Sequence, residues 1–220
     1  MGSVTGAIAA RETGLQAARL RMKTGSGGRG TTRHVIRGIA GTLISLTLAG
    51  CTASPNRDPD RHVIVGEGIR ITLTSEWVGA PRIEEIPPPD SEFAQEYLAL
   101  FEGDDRAVLL AYRGDQLLVI AAIDAGRELS LAEASTMWLD TFEENGFTLV
   151  SRDQSYVDGH RALRVVSTSA GSNRAFQSTT LEYVFPLGSK IWVIQWMTPP
   201  NDFAQAEQGF TAATETIALT

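Results

Sequence analysis

The chain has 220 residues, of which 43% are hydrophobic and 20% charged, a balance typical of a globular protein and too apolar for a disordered one. Seven basic residues and one acidic residue precede Cys51, whereas 12 basic and 25 acidic residues follow it. An acidic body of this kind repels phosphate backbones, which argues against nucleic-acid binding.

Residues 1–50 are predicted to be a secretory signal that is removed. A basic flank containing Arg29, Arg33 and Arg37 is followed by 13 uncharged residues at 38–50, the layout of an n-region and an h-region. A helix of that length rises about 20 Å, which is short of the roughly 30 Å hydrocarbon core of a bilayer. We therefore expect a cleaved signal and not a permanent span.

The n-region is unusually long. Met22 heads a conventional one, because Met22 and Lys23 are followed by a segment rich in Gly, Ser and Arg. We therefore expect translation to start at Met22, and a genuine extended leader is the alternative. In both cases the segment is removed.

The apolar segment ends in Leu48, Ala49, Gly50 and Cys51. This run resembles the lipobox of bacterial lipoproteins, in which the Cys thiol receives a diacylglycerol and the signal is cut just before it. The resemblance implies a covalent acyl lipid such as palmitate on Cys51. Because two or more acyl chains anchor a protein stably, we expect the mature protein on the extracytoplasmic face of the cell membrane, bound without spanning it.

The remainder of the chain is predicted to have two parts. Residues 51–65 carry the lipidated Cys and a flexible tether, polar and interrupted by prolines, which spans about 20 Å as a coil. The alternative interpretation of Cys51 as a small buried hydrophobe is disfavoured because this polar segment offers no core around it. Residues 66–220 are predicted to form a single domain.

Seven strands are predicted from apolar, β-branched runs bounded by turn residues. They lie at 68–73, 107–112, 116–123, 147–156, 161–168, 178–185 and 190–198. Glycine turns at Gly114-Asp115, Asp158-Gly159 and Gly188-Ser189 join six of them into three antiparallel hairpins.

Three helices are predicted between and after the strands. The clearest begins with a capping box from Ser130 to Glu133 and ends at Asn145-Gly146. The others cover residues 91–100 and 202–216, where aromatic and small apolar residues recur at helical spacing.

The fold class predicted from these elements is α+β, an antiparallel sheet covered by helices on both faces. The last strand places Trp192, Ile194 and Trp196 on one face while Ile191, Val193 and Met197 lie on the other. A strand that is apolar on both faces needs a covering layer on each side, and helices are the available cover.

Two short motifs resemble the PsbP-like α/β/α sandwich. Residues 68–77 (GIRITLTSEW) resemble its opening strand, which is followed by a small residue, any residue and Trp. Residues 157–162 (VDGHRA) resemble its DG-x-x-A hairpin. With the lipobox, the chain is similar to LpqN-type and other PsbP-like bacterial lipoproteins. The resemblance covers residues 66–220 and implies a non-enzymatic accessory or binding role, with no shared catalytic residues.

The residues offer no strong catalytic or metal-binding pattern. His160 follows a hairpin turn and is interpreted as a surface residue, not a metal ligand. Ser130 is interpreted as a helix cap, since the chain has no G-x-S-x-G motif for a hydrolase nucleophile. No catalytic residue, metal or cofactor is therefore expected, apart from the covalent lipid.

A weak ligand groove is considered around the four tryptophans. Trp192 and Trp196 share a face and could line it with Trp77 or Trp138, although such aromatics more often form core.

Two functions remain after these considerations. The leading one is a membrane-anchored envelope lipoprotein that acts as a non-catalytic module and binds an envelope protein or an apolar ligand. The alternative is an envelope hydrolase that uses surface carboxylates such as Asp104, Asp105 or Asp124, because paired acids can perform general acid and base catalysis at suitable separations.

Overall fold

The structure, a computed structural model, describes residues 60–102, 104–169 and 177–220. The predicted signal, the start at Met22, the lipobox from Leu48 to Cys51 and most of the tether lie outside the described residues. They stay predictions drawn from the sequence.

Within the described residues the chain forms ten strands and three α-helices. The strands are β1 Arg61–Gly66, β2 Ile69–Thr74, β3 Val78–Ala80, β4 Ala107–Arg113, β5 Gln116–Asp124, β6 Phe147–Val157, β7 His160–Ser169, β8 Ser178–Leu187, β9 Lys190–Thr198 and β10 Ala218–Leu219. The helices are α1 Glu92–Ala99, α2 Leu131–Glu144 and α3 Phe203–Thr214, with short 3-10 helices at Ile83–Glu85 and Pro200–Asp202. Every predicted strand and helix is present, which confirms the expected elements.

The strands form two sheets in which every described pairing is antiparallel. The larger sheet has the order β3-β4-β5-β9-β8-β7-β6 and the smaller one the order β1-β2-β10. The three predicted hairpins are the pairs β4-β5, β6-β7 and β8-β9. The fold is therefore a mixed α/β fold with antiparallel sheets, and the smaller sheet was not predicted.

The turn between β6 and β7 shows why its two residues are required. Asp158 has φ 47° and Gly159 has φ 78°. Two positive φ angles in succession are the signature of a type I′ turn, whose twist matches that of a hairpin. Oδ2 of Asp158 also accepts the backbone N–H of Leu219 at 2.9 Å, so this turn holds the last strand in place.

The two faces of β9 belong to different hydrophobic clusters, as the alternation of its residues predicts. The largest, here called the tryptophan cluster, joins one face of the larger sheet to the smaller sheet and to α3. Its members include Ile69, Ile71, Leu73, Trp77, Trp192, Ile194, Trp196, Ala206 and Phe210. On the other face, Met197 packs with α1 residues, and Ile191 and Val193 pack with Ala134 of α2.

The boundary of the tether was predicted incorrectly. Residues 61–65, expected in the tether, form most of β1 and pair with β2. Ile64 is 5% exposed within the tryptophan cluster. A Cβ atom on Gly66 would lie 2.2 Å from the backbone oxygen of Val108, so β1 passes against β4 at a distance that only glycine allows. The folded part therefore begins before residue 66.

The capping box at the start of α2 is confirmed. The backbone N–H of Glu133 donates to Oγ of Ser130 at 3.3 Å, and the backbone N–H of Ser130 donates to Oε2 of Glu133 at 2.9 Å. This exchange satisfies two backbone donors that a helix start leaves open.

Candidate functional site

The structure does not bring the four tryptophans into one groove. Trp77, Trp192 and Trp196 are at most 6% exposed and form part of the tryptophan cluster. The rings of Trp77 and Trp196 meet edge to face with centroids 5.5 Å apart, although Trp77 also reaches a surface cavity beside α3. Trp138 packs on the opposite face of the sheet, near Val193. Three of the four are therefore core residues.

The carboxylates considered for hydrolysis have structural partners or lie in an acidic depression. Nε and an Nη atom of Arg106 donate to the two oxygens of Asp104 at 2.7 and 2.5 Å. Asp124 accepts the backbone N–H of Gly126 at 2.8 Å. Asp104 and Asp105 line a cavity of about 690 Å³. The contacts of Asp104 and Asp124 stabilise two turns.

His160 lies at the start of β7 with its ring stacked on Phe185, centroids 6.4 Å apart. His62 lies in β1. In the part of the chain that the structure describes, no group of three His, Cys, Asp or Glu side chains is placed to hold a metal ion.

The group that sequence reasoning missed is Glu182 in the middle of β8. Its side chain is 1% exposed. The indole Nε1–H of Trp138 donates to Oε2 at 2.6 Å, and Nε2 of Gln195 donates to Oε1 at 2.8 Å. The sequence did carry one signal, an acidic residue inside an apolar strand. Glutamate and aspartate side chains are almost never fully buried unless they are paired.

Burial raises the pKa of Glu182 to about 7, and the hydrogen bonds from Trp138 and Gln195 partly oppose that rise. Removal from water disfavours the charged form, whereas donated hydrogen bonds favour it. Burial is the larger effect here. The carboxyl group therefore changes its charge near neutral pH. A titratable group displaced this far and lying beside a cavity is a candidate for function.

A small cavity lies next to this carboxyl group, on the face of the sheet that α2 covers. Its volume is about 90 Å³. Its lining is mainly apolar and consists of Phe101, Ala107, Val119, Ala121, Ile123, Trp138 and Val193, with Asp104, Arg106 and Gln195 as the polar members. The partners of Glu182, Trp138 and Gln195, are thus both wall residues. We call this space the Gln195 cavity.

The Gln195 cavity lies beside the larger acidic one. The two share Phe101, Asp104 and Ala107 as lining residues. The Asp104–Arg106 ion pair lies where the two cavities adjoin. An apolar pocket with a few convergent polar groups is the usual form of a small-molecule site.

No helix among the described residues is long and apolar enough to cross a membrane.

No family model and no curated protein sequence matches the chain. Among solved structures, the fold is similar to that of the cyanobacterial PsbP protein of Synechocystis sp. PCC 6803, with 11% sequence identity and a TM-score of 0.51. That match covers 79% of this chain and 99% of the PsbP chain. The PsbP-like fold expected from the two sequence motifs is therefore confirmed at the level of fold.

Two further structures align with lower scores. LpqN of Mycobacterium tuberculosis, described as involved in cell envelope biogenesis, has 11% identity and a TM-score of 0.43 over 69% of this chain and 83% of its own. The Ran-binding protein Mog1p of Saccharomyces cerevisiae has 11% identity and a TM-score of 0.42, covering 73% of this chain and 95% of its own.

Proposed function

We propose that the protein is an envelope lipoprotein, anchored through an acyl lipid on Cys51, that binds an apolar small molecule without transforming it. In this proposal the domain is an α/β/α sandwich whose larger sheet is covered by helices on both faces. The lipobox at residues 48–51 supports the anchor. The apolar clusters on the two faces of β9 support the sandwich.

The proposed binding role is supported by one observation, the Gln195 cavity. Its wall is largely apolar, and Gln195 and Trp138 reach it while both bond to one buried carboxyl group. Buried polar groups that are held by hydrogen bonds keep a fixed position, which is what specific binding requires. This cavity favours an apolar ligand over an envelope protein as the bound species.

The anchor is tested by metabolic labelling with a fatty acid in the native host. We expect the chain to carry the label, to stay with the membrane at high salt, and to lose the label in Cys51→Ala. The control Ser54→Ala changes a nearby residue outside the lipobox and should label normally. Label retained by Cys51→Ala, or release by salt alone, would contradict the anchor.

The ligand is tested by native mass spectrometry of protein extracted gently from its own membranes. We expect an additional bound mass. Ala121→Met places a larger side chain in the Gln195 cavity and should reduce the bound fraction, whereas Ala132→Met on the exposed side of α2 should not. An unchanged bound fraction in Ala121→Met would place the ligand elsewhere.

A further inference from the structure

The amide of Gln195 has a fixed orientation because of its neighbour. An ionised carboxylate can only accept hydrogen bonds, so Glu182 requires the NH₂ end of the amide, whose Nε2 lies 2.8 Å from Oε1. Among the described residues, the other end of the amide, Oε1 of Gln195, accepts no hydrogen bond, and it is not a fully buried atom. Gln195 itself lines the cavity. The cavity wall therefore includes a residue whose amide oxygen has no donor among the described residues.

The size of the cavity limits what can meet that acceptor. Apolar cavities of about 150 Å³ hold one benzene molecule. A volume of about 90 Å³ is smaller than this and suits a group with fewer heavy atoms than benzene, roughly five at most. The side chains of Val119, Ile123 and Val193 require this group to be aliphatic over most of its surface.

We propose that the Gln195 cavity is a binding subsite for a short aliphatic group with a hydroxyl at its tip. The hydroxyl donates to Oε1 of Gln195, and Glu182 is a positioning residue that turns this oxygen toward the ligand. This inference rests on the proposed binding function and adds to it the chemical class of the bound group.

Protonation of Glu182 should change which end of the Gln195 amide faces the cavity, and this change tests the proposal. A neutral carboxyl group can donate its own proton to the amide oxygen of Gln195, after which the amide turns and presents its NH₂ group to the cavity. The subsite then prefers an acceptor over a donor. Because the pKa of Glu182 is about 7, this reversal is expected between pH 8.5 and pH 5.5.

Other charged groups lie on the elements that neighbour Glu182. Those on the described parts of the elements packed against it are Glu133 and Asp140 on α2, His160, Arg161 and Arg164 on β7, Lys190 on β9, and Asp104 and Arg106 at the cavity rim. Asp104 pairs with Arg106, Glu133 pairs with Arg127, and Arg164 pairs with Glu207 on α3. The raised pKa of Glu182 arises from burial, opposed by its two donors.

The experiment compares two isomers of one formula, 2-methyl-1-propanol and isopropyl methyl ether. Both are branched and have five heavy atoms, but only the alcohol can donate a hydrogen bond. Each is titrated into the chain, and the indole N–H resonance of Trp138 and the side-chain amide of Gln195 are followed by NMR. At pH 8.5 we expect the alcohol to bind roughly tenfold more tightly than the ether. At pH 5.5 this preference should disappear or reverse.

Variants distinguish a positioning role of Glu182 from a purely structural one. Gln195→Leu should abolish the preference while keeping an apolar cavity. In Glu182→Gln the oxygen of the new amide accepts the indole N–H of Trp138, so its NH₂ group faces Gln195 and donates to Oε1. Gln195 then presents its own NH₂ group to the cavity, so the preference for the alcohol should be lost at pH 8.5 and no longer vary with pH. Glu92→Gln, an exposed change on α1, is the matched control. The pH series on the unaltered chain tests the same point if Glu182→Gln fails to fold.

The outcomes distinguish this inference from the proposed function. Equal binding of both isomers at both pH values would overturn the hydroxyl subsite and leave an apolar ligand cavity in place. Failure of both isomers to shift the Trp138 and Gln195 signals would overturn the subsite and also the binding role assigned to this cavity.

Discussion

The indole N–H of Trp138 donates to Oε2 of Glu182 over 2.6 Å, although the two residues are 44 positions apart in the sequence. The contact joins α2 to the centre of β8, and Gln195 on β9 completes the carboxyl group's partners. A helix and two adjacent strands thus meet at one buried ionisable group. Stability near neutral pH depends on its charge.

Glu182→Gln should remove a pH dependence of the free energy of unfolding. The folded pKa is raised from 4.5 to about 7, so between these values the folded chain keeps a proton that the unfolded chain releases. Stability from this group is therefore highest below pH 4.5 and falls as the pH rises through 7, by about 3 kcal/mol in all. Urea unfolding at pH 5 and pH 8 measures most of this change. A constant difference between the variant and the parent at the two pH values would contradict it.

Trp138→Phe should destabilise the fold more at pH 8 than at pH 5. The substitution removes the donor to Oε2 of Glu182, and a charged carboxylate loses about 2 kcal/mol with that bond, more than a neutral one loses. The loss of packing volume is the same at both pH values. In the Glu182→Gln background the pH-dependent part should vanish, which a double-mutant cycle by urea unfolding would show. A pH-independent effect in both backgrounds would exclude the ionic hydrogen bond.

Ser130→Ala should lower the free energy of unfolding by about 1 kcal/mol, the usual contribution of an N-cap. It removes the acceptor for the backbone N–H of Glu133 and one donor to that carboxylate. Hydrogen bonds from Ser130 and Arg127 also lower the pKa of Glu133 to about 2, so the change should raise that pKa, as NMR titration can measure. Thr136→Ala, an exposed change on α2, is the control and should not destabilise. Unchanged stability and an unchanged pKa in Ser130→Ala would exclude the capping role.

These local features explain how much of the fold could be predicted. The capping box and the alternation of Trp192, Ile194 and Trp196 depend on residues close in sequence, so the sequence alone indicated α2 and the two-sided burial of β9. The two-residue β10 was missed because its pairing with β2 lies far from it along the chain. β1 was missed because it directly follows a polar segment with the composition of a linker, and residues 61–65 were assigned to that linker.

The candidate site was less predictable than the fold. Glu182 is an isolated acid in the sequence. Its hydrogen-bond donors, Trp138 on α2 and Gln195 on β9, belong to two other elements. The four tryptophans were grouped by residue type. Trp138 lies on α2 and packs on one face of the larger sheet, whereas Trp192 and Trp196 point to the other face. Sequence spacing between distant elements does not reveal this separation.

Gly66→Ala should prevent β1 from docking. The new methyl group would lie 2.2 Å from the backbone oxygen of Val108, and backbone cannot move aside without disturbing β4. We expect the free energy of unfolding to fall by several kcal/mol, in the range of severe overpacking. The backbone amides of β1 should then exchange their hydrogens early. Gly209→Ala is the matched control, because its methyl group meets no atom within 4 Å and replaces glycine in α3. It should stabilise by up to about 1 kcal/mol. Equal stability of both variants would show that β1 does not pack as described.

The last members of the tryptophan cluster in sequence order lie in α3 and just after it. The ring of Phe210 stacks on Trp196 with centroids 5.0 Å apart, and Oγ1 of Thr214 accepts the indole N–H of Trp196 at 2.9 Å. Ile217 then fills the same core. Because these residues are synthesised after every strand of the larger sheet, a nascent chain on the ribosome cannot close its main core until α3 has emerged. The tryptophan cluster should therefore form only after almost all of its chain has been synthesised.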